Sequence, residues 1–409
     1  MNQRFGTLFL IIILFMCGTL FGQIPDGYVV AGWTQSYVHG GLHDYDFLVY
    51  RLDVSGQKKW RKNYGGGLLD AGYSFCNANN RGHLILGWTY SYSNGGADFL
   101  LYSLDSAGMK LWRKNYGGSE ADSAFSVCPA SDGGYLLGGT TFTYTNGGAD
   151  FLVYKVDGTG IKQWRRNYGG IGYDELSTAI RTTDGGYLLL GESTSYTHGQ
   201  WDFIVYKVDA SGKKQWRKNY GGIAPDATHI VIKENHSGQV VQTRDGGYVF
   251  CGASESYTNG GTDFIVYKVD ASGAKLWRKN YGGIFDDEAT SIQQTTDGGY
   301  IVAGLSSTYV HGTPGTDLDF LIYKVDASGN KQWRKFYGGM YQDAGLSIQQ
   351  TADRGYIFAG WSQSYVNGAP GVDYDVLVYK LDASGVKQWR KNFGGSEYDK
   401  GYGILEVFK

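Results

Sequence analysis

The heptapeptide Trp60-Arg61-Lys62-Asn63-Tyr64-Gly65-Gly66 decides the fold, because the chain keeps returning to it. Further copies start at Trp112, Trp164, Trp216, Trp277, Trp333 and Trp389, with Arg166 for Lys, Phe336 for Asn and Phe393 for Tyr. An Asp stands 14 residues before each Trp, from Asp46 to Asp375, and another stands 10 residues after, from Asp70 to Asp399. A rigid block repeated with a period above fifty residues is the mark of a solenoid, propeller or array.

The unit itself reads as strands. In the copy ending at Trp333, short runs over 289–294, 300–304, 319–325 and 331–337 are rich in β-branched and aromatic residues. They are separated by turn-forming Asp-Gly-Gly and Ala-Ser-Gly clusters, and no helical period intervenes. Four antiparallel strands make one twisted sheet with two apolar faces, and radial stacking of seven such sheets buries both. The fold class is therefore all-β, a seven-bladed β-propeller. After Asp399 only one strand, 403–408, remains, whereas residues 28–32 begin the propeller at a second strand. The C-terminal strand is expected to complete blade 1 and close the ring, hiding two edges that would otherwise recruit other chains.

Residues 5–21 form an apolar run after Arg4, ending in Gly22-Gln23. This has the layout of a secretory signal peptide over 1–22, is short for a membrane span, and leaves 23–409 as one propeller domain. The expected address is secreted, periplasmic or cell-surface, and the expected state is a monomer. The formal charge is −2, and loss of Arg4 with the leader makes it −3, so no basic excess supports nucleic-acid binding. Cys76, Cys128 and Cys251 follow the leader at no ligand-like spacing. Free buried thiols are expected, with a Cys76–Cys128 bridge requiring closely approaching backbones.

The run Lys207 to Trp216, Lys-Val-Asp-Ala-Ser-Gly-Lys-Lys-Gln-Trp, resembles the Trp-docking repeat of quinoprotein-type propellers, and the Asp-Gly-Gly-Tyr strands resemble kelch blades. Over 26–409 the chain is similar to secreted bacterial propellers built from such repeats. That resemblance implies the fold and little about activity. The quinone chemistry is not implied, since the vicinal cysteine pair is missing.

Features common to all seven copies serve the blade, and features peculiar to neighbouring blades are candidates for a ligand. Trp60, Trp112, Trp164, Trp216, Trp277, Trp333 and Trp389 are therefore read as structural. The Arg and Lys beside them form a solvated rim that discourages edge pairing. The repeated Asp residues are expected to accept from backbone amides of their loops. His39, His198 and His311 replace Asn94, Asn146, Asn259 and Asn367 before a Gly, which suggests a shared positive-φ turn.

The exceptions gather on one face. The 2–3 loops of blades 6 and 7 carry insertions ending Asp317-Leu-Asp319 and Asp373-Tyr-Asp375, and blade 1 has a shorter one ending Asp44-Tyr-Asp46. Blade 5 is extended over 227–237 in its 4–1 connection. Trp33, Trp88 and Trp361 follow strand two in the adjacent blades 1, 2 and 7 only. Three Trp bordered by paired acids suit the apolar faces and hydroxyls of sugar rings. The expected function is non-catalytic carbohydrate binding, with a protein-interaction scaffold as the alternative and a glycoside hydrolase as the third reading. No cofactor is expected beyond calcium, for which Asp317, Asp319, Asp373 and Asp375 are the candidate ligands. Glycosidases need only two suitably spaced carboxylates, but the many repeated acids make any pair arbitrary, so no catalytic residue is named. The common nucleophile-elbow, zinc-helix and P-loop motifs are missing.

Overall fold

The computed structural model describes residues 24–41, 44–79, 82–227 and 239–408. The leader, His43 and nearly all of the blade 5 extension lie outside the described residues. Seven antiparallel sheets stand in a ring. Blade 2 is typical, with strands Asp70–Asn77, His83–Thr89, Asp98–Leu104 and Lys110–Tyr116 in sequential order. Strands two and three are buried except at Trp88, since both of their faces pack on neighbouring blades. Strand one is innermost, and the first strands surround an axial cavity of about 260 Å³ lined by Tyr73, Gln239, Ile292, Ser347 and Ile404. Strand four is outermost, which explains its charged, partly exposed sequence.

Ring closure follows the expected route and begins earlier in sequence. The last strand is Asp399–Phe408, and it pairs antiparallel with Pro25–Thr34. Asp399 opposes Thr34 as Asp70 opposes Thr89 in blade 2, so the closing strand repeats the register of a continuous blade. Blade 5 departs from the pattern: its first strand is described as two pieces, Asp226–Ala227 and Val240–Gln242, on either side of the extension.

The heptapeptide joins one blade to the next. Trp60 lies over Gly108, in the 3–4 turn of blade 2, where φ is +73° and any Cβ would collide with the indole. The equivalent Trp389 covers Gly56 of blade 1 across the closure. Indoles also pack on the strand-two Tyr of the following blade, as in Trp216–Tyr248 and Trp277–Tyr300 with centroids 6.3 and 6.1 Å apart. Tyr116 donates its hydroxyl to the Gly160 carbonyl of the following blade at 2.6 Å, and Tyr220 does so to Gly273 at 2.7 Å. Phe393 lacks the hydroxyl, so the blade 7 to blade 1 junction forgoes this bond and keeps the ring contact with Tyr50, 5.1 Å between centroids.

The arginine is not simply a solvated rim residue, as its sequence position suggested. Each guanidinium stacks on a 2–3 loop tyrosine of its own blade, with Arg61 Cζ 3.3 Å from the Tyr37 ring centre and Arg165 3.5 Å from Tyr144. The described cysteines Cys76, Cys128 and Cys251 are free thiols. Among the described residues no helix is long and apolar enough to cross a membrane.

Deleting residues 400–409 should open blade 1 along its inner edge. The expected result is loss of the cooperative melting transition or aggregation during purification, followed by light scattering and thermal unfolding. An unchanged melting temperature would refute closure by this strand.

Candidate functional site

The face carrying the 2–3 and 4–1 connections is built on two buried carboxylates per blade. The Asp that opens strand three and the Asp that opens strand one are wholly buried in all seven repeats. Asp98 Oδ2 accepts from the backbone N–H of Asn94 at 3.1 Å and from its side-chain amide at 3.3 Å, clamping the 2–3 loop. Asp122 Oδ2 accepts from the Gly118 N–H at 2.8 Å and from the Thr143 hydroxyl at 3.1 Å, clamping the following 4–1 connection to the neighbouring blade. This meets the expectation that the repeated acids serve backbone amides.

The His/Asn positions have a different cause from the one expected. Among the described residues the only non-glycine residue with positive φ is Arg354, so no left-handed turn selects His39 or Asn94. What they share is a nitrogen two bonds beyond Cβ that reaches the strand-three Asp. His39 Nδ1 lies 2.5 Å from Asp46 Oδ2, His198 Nδ1 lies 3.0 Å from Asp202 Oδ2, and Asn259 Nδ2 donates to Asp263 Oδ2 at 3.0 Å. In blade 6 Phe336 replaces the usual Asn, and the His311 ring packs on it with centroids 5.0 Å apart.

The strand-three Asp of one blade and the strand-one Asp of the next meet above the Gly-Gly that joins the two blades. A Cβ on Gly282 would collide with Asp263 Oδ1 and come within 2.8 Å of Asp287 Oδ2, and Gly338 stands likewise beneath Asp319 and Asp343. Here the absence of a side chain is required by close approach. The Oδ1 atoms of all seven strand-three Asp residues are buried without a hydrogen-bond partner. Two adjacent buried carboxyl groups cannot both ionise cheaply, and a proton retained on one of them resolves the conflict. Burial, with the charge of Asp399 adding to it, raises Asp375 to about 7. Burial raises Asp287, Asp343 and Asp399 to about 6. Asp319 is pushed upward by burial and the Asp343 charge.

The calcium expectation does not fit this arrangement. Among the described residues no three His, Cys, Asp or Glu side chains gather as a metal site. Asp317 and Asp319 belong to blade 6, and Asp373 and Asp375 to blade 7. The outer oxygens of Asp319 and Asp375 are taken up by the N–H groups of His311 and Asn367, at 2.9 and 2.8 Å, where a cation would need acceptors. Asp317 and Asp373 each place Oδ2 over a loop glycine, Gly312 and Gly368, and Asp44 does the same over Gly40. These paired acids therefore fold their loops inward, and Asp44 and Asp373 are only 5% and 4% exposed.

The three irregular tryptophans are brought together only in part. Trp33 and Trp361 are 7% and 4% exposed and share an apolar cluster with Leu305, Leu346 and Tyr402 near the axis. Trp33 packs edge-on against Tyr45 and Trp361 against Tyr374, with centroids 4.7 and 4.8 Å apart. Lys400 Nζ lies 5.5 and 5.2 Å from the two indole centres. Only Trp88 is half-open, beside the exposed Tyr90. The expected open platform of three indoles is thus corrected to an aromatic plug with one partly accessible ring.

The most exposed apolar side chains of this face lie elsewhere, immediately after four of the seven Gly-Gly pairs. Ile171 and Ile223 are 87% and 83% exposed, and Ile284 and Met340 are each 67% exposed. They occupy four consecutive blade junctions, whereas the other three carry Gly67, Ser119 and Ser396. Each 2–3 loop touches the 4–1 connection that follows its blade, as Gly147 does Ile171 and Gly199 does Ile223, so all four side chains share one face. The signal was present in the sequence as Tyr-Gly-Gly-Ile against Tyr-Gly-Gly-Ser, a single-residue difference that loop-length comparison passes over. In blades 6 and 7 the Pro-Gly insertions fold Gly315 onto Phe285 and Gly371 onto Tyr341, partly covering the aromatic that follows the arc residue.

No family model matches the chain. No curated protein matches it. Solved structures match with low identity. Sqt1 from Chaetomium thermophilum is 12% identical with a TM-score of 0.47, covering 92% of this chain and 91% of that one. The Neurospora crassa Pan2 WD40 domain is 10% identical with a TM-score of 0.46, covering 77% and 81%. A variant of the Synechocystis apocarotenoid oxygenase is 10% identical with a TM-score of 0.49, covering 95% and 94%.

The buried acids set a pH dependence. Between the ordinary Asp value near 4 and the raised values of 6–7, the folded protein holds protons that the unfolded chain releases. Stability is then full at the acid end of that window and falls as pH rises through it. His83, lowered by burial to about 4, opposes this as a single group. The melting temperature should therefore be higher at about pH 5 than at about pH 8. A melting temperature that rises across this interval would contradict proton retention by the carboxyl pairs.

Proposed function

We propose that this protein is a secreted, non-catalytic binding scaffold that docks another protein on its 2–3/4–1 loop face. The observation that carries the reading is the arc Ile171, Ile223, Ile284 and Met340. Large apolar side chains at 67–87% exposure, in four adjacent junctions, have no partner within their own blade. An internal control supports a functional cause: Gly67, Ser119 and Ser396 hold the same position in blades of the same geometry, so the fold does not need an apolar residue there. The apolar leader-like run over 5–21 and the resemblance to secreted bacterial propellers support export.

Carbohydrate binding becomes the second reading. It rested on three accessible indoles, and only Trp88 with Tyr90 retains an open edge. A glycosidase draws less support, because the repeated acids are buried and engaged by loop amides.

The test is a variant with Ile171, Ile223, Ile284 and Met340 each changed to Ser. Because the sites are exposed, its melting temperature should stay within a degree or two of the parent. It should lose the native protein's binding of an apolar fluorescent dye and release extracytoplasmic proteins that the parent retains on a column. Undiminished dye binding and retention would remove the docking reading. Glycan binding by the parent that vanishes in Trp88→Ala would favour the sugar reading instead.

A further inference from the structure

The loops of this face contain a charge asymmetry that the rest of the chain does not share. Among the described residues, none of the seven 2–3 loops and none of the seven 4–1 connections contains Lys or Arg. Their charged groups are acids, and Glu120, Glu255, Asp286 and Glu397 are exposed. The basic residues lie mainly on the outer strands, and the arginines nearest the face are occupied by stacking on loop tyrosines. Lys400, beneath the face, is buried against Trp33, Trp361 and Tyr374.

The acids and the apolar arc are interleaved. Asp286 follows Ile284 by two residues and accepts from the Thr262 N–H at 3.0 Å, which fixes its carboxylate beside the blade 5 loop. The Glu255 N–H donates to the Pro225 carbonyl at 2.8 Å, holding Glu255 next to the Ile223-Ala224-Pro225 turn. Ile223 thus lies beside Glu255 and Ile284 beside Asp286, two exposed acids with no Lys or Arg among the described residues of the neighbouring loops.

Resting on the docking reading above, we propose that the partner engages this face through a cationic amphipathic segment. Its apolar side chains would cover Ile223 and Ile284, and its Lys or Arg side chains would meet Glu255 and Asp286. The charge pattern selects this occupant over the alternatives. An anionic lipid surface would be repelled by the acids, and an acidic segment would find no Lys or Arg among the described residues of the loops. Complementary charge at the rim of an apolar patch adds chiefly to association rate and partner choice, and it is screened by salt.

The experiment uses the full mature chain and two synthetic amphipathic peptides, one of leucine and lysine and one of leucine and glutamate. Fluorescence anisotropy is recorded at low and high salt. The lysine peptide should bind at least about tenfold more tightly than the glutamate peptide, and salt should remove most of that preference. Ile223→Ser with Ile284→Ser should abolish binding of the lysine peptide, and Glu255→Lys with Asp286→Lys should invert the preference. Binding of the glutamate peptide alone, lost in the Ser variant, would overturn the charge inference while leaving the docking reading intact. Lysine-peptide binding unaffected by either double variant, or no binding of either peptide, would overturn the inference. So would binding to anionic vesicles that is lost in the Ser variant, or concentration-dependent self-association by sedimentation that the Ser variant abolishes.

Discussion

Every loop on the irregular face is held from beneath by a buried carboxylate, and the organisation of that face depends on this one device. A propeller blade ends in connections that have no sheet partners, so their amide groups need another acceptor. The strand-three Asp supplies it for the 2–3 loop, through the N–H groups of His39, Asn94 or Asn146. The strand-one Asp supplies it for the Gly-Gly turn, as Asp122 does for Gly118 and Asp174 for Gly170. Bringing both carboxyls over one glycine concentrates acid where water does not reach. That explains why their protons are held more tightly than usual, and why the first glycine of the Gly-Gly has no room for a side chain.

The same geometry accounts for the heptapeptide residue by residue. Trp60 and Tyr64 reach forward to Gly108 of the next blade, Arg61 stacks on Tyr37 of its own blade, and Asn63 donates to the Tyr37 carbonyl at 2.7 Å. Gly65 lies under Asp46, and the Gly66 N–H is taken by Asp70. A segment in which six of seven residues bind a named partner in two blades leaves little room for drift. The three departures all trace to local changes at their own junctions: Arg166 for Lys on the open outer strand, Phe336 against His311, and Phe393 at the closure.

What could be read beforehand follows from how periodic each cause is. The four-strand unit, the structural tryptophans and the Asp-to-amide bonds repeat seven times, and ring closure follows from the incomplete units at the two ends; repetition makes a physical constraint visible without coordinates. Burial of Trp33 and Trp361 was not legible, because one position after strand two can point toward solvent or toward the axis. The outcome depends on Tyr402 and Lys400 arriving from the far end of the chain. The His/Asn exchange is visible in the sequence, but its pattern points equally to a backbone conformation. Only the position of the Asp carboxylate shows that a nitrogen in reach of Oδ2 is the shared requirement. The exposed isoleucines were overlooked for the opposite reason, since a one-residue change in an otherwise constant loop alters neither length nor pattern.

A structural residue in this protein is one whose loss breaks a bond to the carboxylate frame or to the adjacent blade. The residue after each Gly-Gly breaks neither when it changes, for the frame beneath Gly67 and Ser119 is built like that beneath Ile171 and Ile223. Freedom from structural duty would ordinarily fill such a site with small or polar residues, as it does at three junctions. Water disfavours an exposed isoleucine or methionine repeated over four adjacent junctions, and the fold gains no contact from it. The stabilising contact is therefore sought outside the chain, on the face whose described loop residues include acids and neither Lys nor Arg.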